Sequence, residues 1–227
     1  NVIDFPMMDE LATALQEIES NDFISVIVLR GAGDHFSAGV DIPSHTPDKA
    51  GAMLEKFHRV IRQMAQSRKV LIAEVRGNCL GGGAELALMC DIVYTTADAR
   101  WGFPEIQLAC FPPVACAVLA ACVGQKRAAE MVLTGTTFSG KDAVNYGLAN
   151  WHGMSEQVSS HVIETVLGLT KLSAEVLPIA KRALYAWDAA HFEKALAHAE
   201  AIYRNELVQS KDMEQGIRAW MERRATR

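Results

Sequence analysis

The chain has no apolar run of the roughly 20 residues that a bilayer-spanning helix needs, so no membrane partner is expected. It also lacks an excess of positive charge. Its 22 Lys and Arg stand against 27 Asp and Glu, a formal net charge of −5. Without a basic face a phosphate backbone has little to hold, and nucleic acid is not an expected partner. No C-x-x-C pair occurs, and the five cysteines, Cys79, Cys90, Cys110, Cys116 and Cys122, are odd in number. No histidine falls near them at ligand spacing. A disulfide framework and a zinc site are therefore not expected. Buried, reduced thiols in a cytoplasmic protein are. Neither the phosphate-cradling G-x-x-x-x-G-K-[ST] nor G-x-G-x-x-G is found. The apolar start has no charged region or cleavage site, so no signal peptide is expected. No internal repeat or low-complexity stretch breaks the chain.

What the chain does have is bulk for a core. Half of its 227 residues are hydrophobic, ample for one large domain or one and a half. Apolar spacing predicts helices over 7–18 and 52–66. Nearly continuous apolar runs at 23–29, 70–75 and 92–95 suit buried parallel strands, and residues 43–49 form a polar turn. The alternation argues for a parallel sheet with right-handed crossovers. After Pro113 the pattern turns helical: 114–123, 126–133, 139–146 with Ser139 as N-cap, then 155–169, 173–187, 192–209 and 211–224. Phe192, Leu196, Ala199 and Tyr203 form a stripe of packing type. The division expected is an α/β core over 1–150 and a helical region over 151–227 that packs on the body or on a neighbouring copy.

The densest chemical signal is Gly77-Asn78-Cys79-Leu80-Gly81-Gly82-Gly83-Ala84-Glu85. A strand feeds three glycines, which open a short helix with a glutamate in its first turn. Successive glycines bare the backbone N–H groups and admit close approach by a ligand. The helix start adds partial positive charge there. Such a place suits an oxygen that gains negative charge during a reaction. Twenty residues after Glu85 comes a second turn acid, Glu105, in Gly102-Phe103-Pro104-Glu105. Two carboxylates facing one water repel each other, so one should hold its proton more tightly, giving an acid–base pair near neutral pH.

These segments, with Phe36-Ser37-Ala38-Gly39-Val40-Asp41-Ile42 upstream, resemble the crotonase superfamily of enoyl-CoA hydratases and isomerases, in order and in spacing, over nearly the whole chain. The resemblance implies an α/β fold of the ClpP/crotonase kind: a spiral of repeated β-β-α units followed by a C-terminal helical region. It implies that Glu85 and Glu105 are the catalytic acids and that the N–H groups of Val40 and Gly82 form an oxyanion hole. Backbone around Ala38 and Ile42 would hold the adenine of coenzyme A, which is part of the substrate; no separate cofactor and no metal are implied. Family members usually carry one or two strands before the point where this chain starts, so missing N-terminal strands are expected. A homotrimer or a hexamer of paired trimers is the implied assembly. Asp41 and Asp91 read as structural, His35 and His45 as solvated loop residues, and Trp101 as packing.

The chain departs from its relatives after the second glutamate. Mainstream hydratases have a G-x-G-G type segment there; this chain has Phe111-Pro112-Pro113, bulky and with a fixed backbone. In the family that segment lines the acyl pocket. The F-P-P run and the segment G-V-D-I-P-S-H-T-P-D-K at 39–49 are similar to the cyclohexa-1,5-diene-1-carbonyl-CoA hydratases of anaerobic aromatic degradation. The expected activity is thus hydration of a cyclic dienoyl-CoA. A generic short-chain enoyl-CoA hydratase or an isomerase is the alternative within enzymes, and a non-catalytic RNA-binding or scaffold protein the alternative outside them.

Overall fold

The structure, a computed structural model, describes residues 1–225, with the side chains of 187, 188, 224 and 225 left aside. The last two residues of the expected helical region lie outside the described residues. Nine strands and ten α-helices are described, and the β-α alternation expected from sequence is present. Strand β1 (Val2–Ile3) is followed by α1 (Phe5–Glu19), β2 (Val26–Arg30), β3 (Gly39–Val40) and α2 (Ala50–Gln66). Then come β4 (Val70–Val75), β5 (Asn78–Leu80), α3 (Gly82–Leu88), β6 (Ile92–Thr96), β7 (Arg100–Gly102) and α4 (Pro113–Val123). The remainder is α5 (Gln125–Thr134), β8 (Phe138–Ser139), α6 (Gly140–Asn145), β9 (Trp151–Gly153), α7 (Ser155–Leu169), α8 (Val176–Leu184), α9 (Ala186–Asn205) and α10 (Lys211–Ala225). Three 3₁₀ turns lie at Ile42–His45, Pro104–Leu108 and Leu207–Gln209.

The strands build rungs. One sheet has the order β2-β4-β6-β9, all parallel. The short second strands stack beside it: Ser37 bridges Cys79, β5 pairs β7 in parallel, and β7 pairs β8 antiparallel. The passes that begin at β4 and β6 each make one strand of the first sheet, turn, make one of the second, and leave into a helix; in the last pass the order is reversed, β8 preceding β9. Strand β4 is buried along its whole length, as a central parallel strand must be. Its one charged residue, Glu74, is held by Arg76 and by Ser159.

Helix α2 buries Met53, Leu54, Phe57, Val60, Ile61 and Met64, an i, i+3, i+4 row, and packs against α1, α9 and the 42–45 turn. The predicted stripe on α9 is buried too, with Phe192 at 8%, Leu196 at 0%, Ala199 at 6% and Tyr203 at 1% exposure. It packs against α4 and α2. Burying a Leu or Phe side chain contributes about 1.5–3 kcal/mol, so α9 is clamped firmly to the body of its own chain. Helix α10 packs on the 42–45 and 104–108 turns. Leu196, Tyr203, Met213 and Ile217 share one buried cluster with Leu71 and Val93 of the sheet.

Several local expectations need correction. Phe23 is fully exposed in a turn and the strand starts only at Val26, because the bend at 21–23 orients Phe23 outward. The helix expected over 173–187 runs only over Val176–Leu184; the chain turns at Tyr185 and α9 begins at Ala186 rather than near 192. Ser139 does cap α6, in a capping box with Asp142. Trp101 is packing, with no exposure and its ring N–H on Thr95 Oγ1 at 3.0 Å. Cys79 and Cys110 are buried, as expected, and Cys90 is half-buried, but Cys116 and Cys122 are exposed. No described helix is long and apolar enough to cross a membrane.

Asp91 ties the helical region to the sheet. Its Oδ2 accepts the Leu71 N–H at 2.7 Å and the Lys181 ammonium at 2.7 Å. Lys181 also donates to the Lys69 carbonyl at 2.8 Å, and both ionic side chains are nearly buried, at 11% and 13% exposure. Removing one member of such a pair leaves a buried charge uncompensated. Lys181→Met should therefore cost about 3 kcal/mol, read as a lowered urea midpoint at unchanged m-value; an unchanged midpoint would show that α8 does not depend on this pair.

Candidate active site

The rung architecture explains why residues far apart in sequence meet. Strands β5 and β7 are in register, Leu80 opposite Gly102, and the Gly81 N–H donates to the Gly102 carbonyl at 2.9 Å. On the other side the Leu80 N–H donates to the Ser37 carbonyl at 3.1 Å. Three neighbouring segments therefore reach their carboxyl ends at one edge. There they deliver the loop of Val40, the glycine turn before Glu85, and the 104–108 turn with Glu105. The carboxyl edge of parallel strands is where open α/β folds gather ligands. The twenty-residue separation of the two acids is one turn of the spiral.

A cavity of about 100 Å³ lies at that edge. All nine residues singled out from sequence line it: Ala38, Val40, Ile42, Gly82, Glu85, Glu105, Phe111, Pro112 and Pro113. The three glycines fit because nothing larger would. A Cβ on Gly81, whose φ of +53° already favours glycine, would lie 2.5 Å from Glu105 Oε1. One on Gly82 would lie 2.7 Å from Val40 Cγ2 and 3.3 Å from the Val40 nitrogen. The peptide groups of Val40 and Gly82 thus pack closely at the cavity wall. Gly82 opens α3, so its N–H has no acceptor within the helix.

Glu85 is 3% exposed. Its Oε1 accepts the Ala115 N–H at 2.9 Å, and the Val114 N–H also bonds the carboxylate. These are orphan donors of the first turn of α4, which Pro113 starts at its first position. The F-P-P segment thus does two things: it walls the cavity and it aims a helix start at Glu85. Burial raises the Glu85 pKa, to about 7, and the two N–H bonds oppose the rise. Glu105 has no such bonds from α4. Burial raises its pKa first and the Glu85 charge adds to this, giving about 8. Glu105 is therefore the member that holds a proton, while Glu85 is favoured as the ion. The turn that carries Glu105 closes on Ala109, whose φ of 54° is the sole positive value among described non-glycine residues, a strained position of the kind that collects at functional sites.

Sequence reasoning missed part of the lining. Met53, Leu54, Phe57 and His58 of α2, Leu108, and Tyr203 of α9 also face the cavity. The Phe111 and Tyr203 rings meet edge to face, centroids 5.2 Å apart. A helical row containing His58 was legible, but not what it faced. His45 is a correction: it lines the cavity half-buried, its Nδ1 3.0 Å from the Asp41 carbonyl, and burial lowers its pKa. His35 remains exposed, as expected, and its Nδ1 accepts the Asn78 N–H. Asp41 begins the 42–45 turn, its carbonyl accepting the Ser44 N–H at 3.0 Å, but its side chain accepts the Ser44 hydroxyl rather than a backbone N–H.

The chain is similar to known proteins along its whole length. The enoyl-CoA hydratase/isomerase family matches over residues 1–227. The chain is 30% identical to the cyclohexa-1,5-dienecarbonyl-CoA hydratase of Thauera aromatica, over 99% of this chain and 87% of that protein. It is 31% identical to a probable enoyl-CoA hydratase of Bacillus subtilis, over 99% and 89%. Among solved structures, an enoyl-CoA hydratase/isomerase from Xanthobacter autotrophicus Py2 superposes with a TM-score of 0.87 at 26% identity, covering 98% of this chain and 90% of that one.

The raised carboxyl pKa values have a consequence for stability. Between the ordinary value of 4.5 and about 8 the folded pair binds more protons than the unfolded chain. Stability from this source is complete below the ordinary value and is lost as pH rises through the folded values. The wild type should lose more stability between pH 5 and pH 9 than Glu105→Gln, whose neutral amide leaves Glu85 without a charged neighbour. Urea midpoints at both pH values test this; parallel losses in the two proteins would contradict the assigned burial of charge.

Proposed function

Because the chain belongs to the enoyl-CoA hydratase/isomerase family, we propose that it is a hydro-lyase that adds water to an enoyl- or dienoyl-CoA thioester, using Glu85 and Glu105 as base and acid. The observation that carries this is the meeting of two carboxyls, Glu85 buried and Glu105 half-buried, with the Val40 and Gly82 peptide groups on one cavity. In the mechanism the thioester oxygen accepts from the N–H groups of Val40 and Gly82. Ionised Glu85 takes a proton from water as its oxygen attacks the conjugated carbon, and the double bond shifts toward the carbonyl to give an enolate. Protonated Glu105 then delivers its proton to the carbon next to the thioester. Donors fixed where charge develops stabilise the transition state without reorganising, and each positioned acid or base contributes roughly 10²–10⁴-fold. Coenzyme A enters as part of the substrate, its adenine held by backbone near Ala38 and Ile42.

The acyl group proposed is cyclic and conjugated, of the cyclohexa-1,5-diene-1-carbonyl kind. Phe111, Pro112 and Pro113, backed by the edge of the Tyr203 ring, give a rigid wall suited to a flat ring. The similarity to the Thauera aromatica hydratase supports the same reading. Isomerisation of a double bond is the second reading, supported by the family's breadth; it needs one acid where this cavity holds two. For the assembly we propose a trimer or a pair of trimers. Leu133, Ile163, Leu167, Val176, Ile179 and Leu184 are exposed on α5, α7 and α8, more apolar helical surface than a monomer hides readily.

Glu85→Gln and Glu105→Gln should each lower kcat by about 10²-fold or more, followed by loss of the conjugated thioester absorbance. The pH profile of the wild type should be bell-shaped across neutrality, because the pair works with one proton. It should rise as the pair loses its first proton and fall as it loses the second. An unchanged kcat in both variants would remove the acid–base assignment.

The wild type should also prefer cyclohexa-1,5-diene-1-carbonyl-CoA over crotonyl-CoA by roughly ten- to two-hundred-fold in kcat/KM. Faster turnover of crotonyl-CoA would remove the cyclic reading and leave the hydratase reading standing.

A further inference from the structure

The two acids of the cavity are held in different ways. Glu85 is fixed by the Ala115 N–H, whereas Glu105 Oε2 is buried and has no hydrogen-bond partner. The place of the Glu105 carboxyl is therefore set by the backbone of the 104–108 turn. That backbone closes on itself. The Cys110 N–H donates to the Glu105 carbonyl at 3.0 Å and the Ala109 N–H to the Ile106 carbonyl at 3.1 Å, and left-handed Ala109 ends the turn. A shift at Leu108 or Ala109 is thus passed back to Glu105.

The turn is gripped from three sides, each time at a glycine. On the cavity side, a Cβ on Gly81 would lie 2.5 Å from Glu105 Oε1, so the carboxyl has no room to move inward. At the end of α5, Gln107 Nε2 donates to the Gly135 carbonyl at 3.0 Å, and a Cβ on Gly135 would lie 2.8 Å from Ile106 Cγ2. The third side is α10. A Cβ on Gly216 would lie 2.6 Å from the Leu108 carbonyl oxygen and 3.0 Å from its carbon. Both are backbone atoms, which cannot swing aside as a side chain can. Met213 and Ile217, 0% and 1% exposed, seat this part of α10. Glycine inside a helix is destabilising relative to alanine, and Gly216 lies inside α10. Close approach to the Glu105 turn gives that glycine a reason.

We propose that Gly216 is a positioning residue for the reaction: its bare Cα lets α10 press on Leu108 and so fixes the Glu105 carboxyl against Gly81 at the cavity edge. The inference rests on the hydratase reading for what Glu105 does, and extends the machinery to a helix that lines no part of the cavity. A methyl group at position 216 cannot drive the turn inward, because Gly81 blocks it. Helix α10 must lift instead, and water then reaches the outer side of the turn. Burial is the main cause of the raised Glu105 pKa, so lifting α10 brings that pKa down toward the ordinary value. Other groups do not obscure the change. Cys110, Cys116 and Tyr203 are pushed up by burial, and His45 and His58 are pushed down, so all stay neutral near pH 7. Asp212, Glu214 and Arg218 of α10 and Lys126 and Glu130 of α5 are exposed, and Arg127 stacks on Tyr146.

The test compares the wild type with Gly216→Ala and with Lys181→Met, which loosens α8 and lines no part of the cavity. The readouts are kcat, KM and the pH profile with cyclohexa-1,5-diene-1-carbonyl-CoA and crotonyl-CoA, and urea midpoints at pH 5 and pH 9. Gly216→Ala should lower kcat by about 10²-fold with KM little changed, and the falling limb of its pH profile should move to lower pH. Lys181→Met should lose stability and keep both kcat and the profile. Gly216→Ala should also lose less stability than the wild type between the two pH values, because its folded state binds fewer extra protons. An unmoved falling limb in folded Gly216→Ala overturns the proposal, as does the same displacement in Lys181→Met. If Gly216→Ala does not fold, Ile217→Val, which removes one methyl group from the seat of α10, should move the limb the same way by less; an unmoved limb there overturns it. If the wild type turns over neither thioester, the hydratase reading falls. The urea comparison then decides alone, and equal losses in the wild type and Gly216→Ala overturn the proposal.

Discussion

Three consecutive glycines, each pressed against a different wall, are the constraint on which the site depends. A side chain on Gly81 would strike Glu105, one on Gly82 would strike Val40 and Phe57, and one on Gly83 would strike Ser37 at 2.6 Å. The walls belong to the second-acid turn, to the upstream loop with α2, and to the strand edge beside β5. The glycine turn is thus the point at which three passes of the spiral touch. Any widening there would separate the Val40 and Gly82 peptides from each other and from the carboxyls. Backbone donors are well suited to this place: the spiral fixes them before any ligand arrives, so little reorganisation is left for the reaction.

The same closeness makes the site expensive. Two carboxyls sit in one small cavity, and one of them has a buried oxygen without a partner. Burial alone would push both toward the protonated form. What separates them is the start of α4, whose Ala115 and Val114 N–H groups serve Glu85 and leave Glu105 unserved. Pro113 at the head of that helix gives up no donor that a helix interior would have used. The segment that first looked like a departure in pocket shape therefore also sets which acid keeps the proton. Shape and protonation are governed by one stretch of five residues, 111–115.

Much of this was legible because it is local. Strand β4 and helix α7 were read at their observed bounds, since a continuous apolar run and a clean helical period need no distant partner. Glu85 and Glu105 were legible because one turn of a spiral converts sequence spacing into spatial adjacency. The short strands β3, β5, β7, β8 and β9 were not read. Two or three residues show no period, and these strands exist because a neighbouring rung supplies the hydrogen bonds. The turn at Tyr185 was missed because the apolar spacing of α8 continues into α9. His45 was misread because a histidine in a polar segment gives no sign that α10 covers it.

The covering of the cavity by α9 was least visible in the sequence. Phe192, Leu196, Ala199 and Tyr203 form an ordinary packing stripe, and as far as α4 is concerned that is what they are. Yet the last residue of the stripe also faces the cavity, and Glu200 beside it reaches across to His58 on α2. A hydrophobic pattern reports that a face is buried; it does not report that a cavity lies beneath one end of it. The spiral supplies the two carboxyls and the peptide N–H groups proposed to move protons and hold the oxygen. A helix about a hundred residues further along supplies the Tyr203 side of the wall and fixes the His58 ring. Because these duties fall on separate elements, the acyl group accepted can change through α2 and α9 while the carboxyls and the peptide donors stay where the strand register puts them. That separation lets one fold serve many acyl thioesters with the same chemistry.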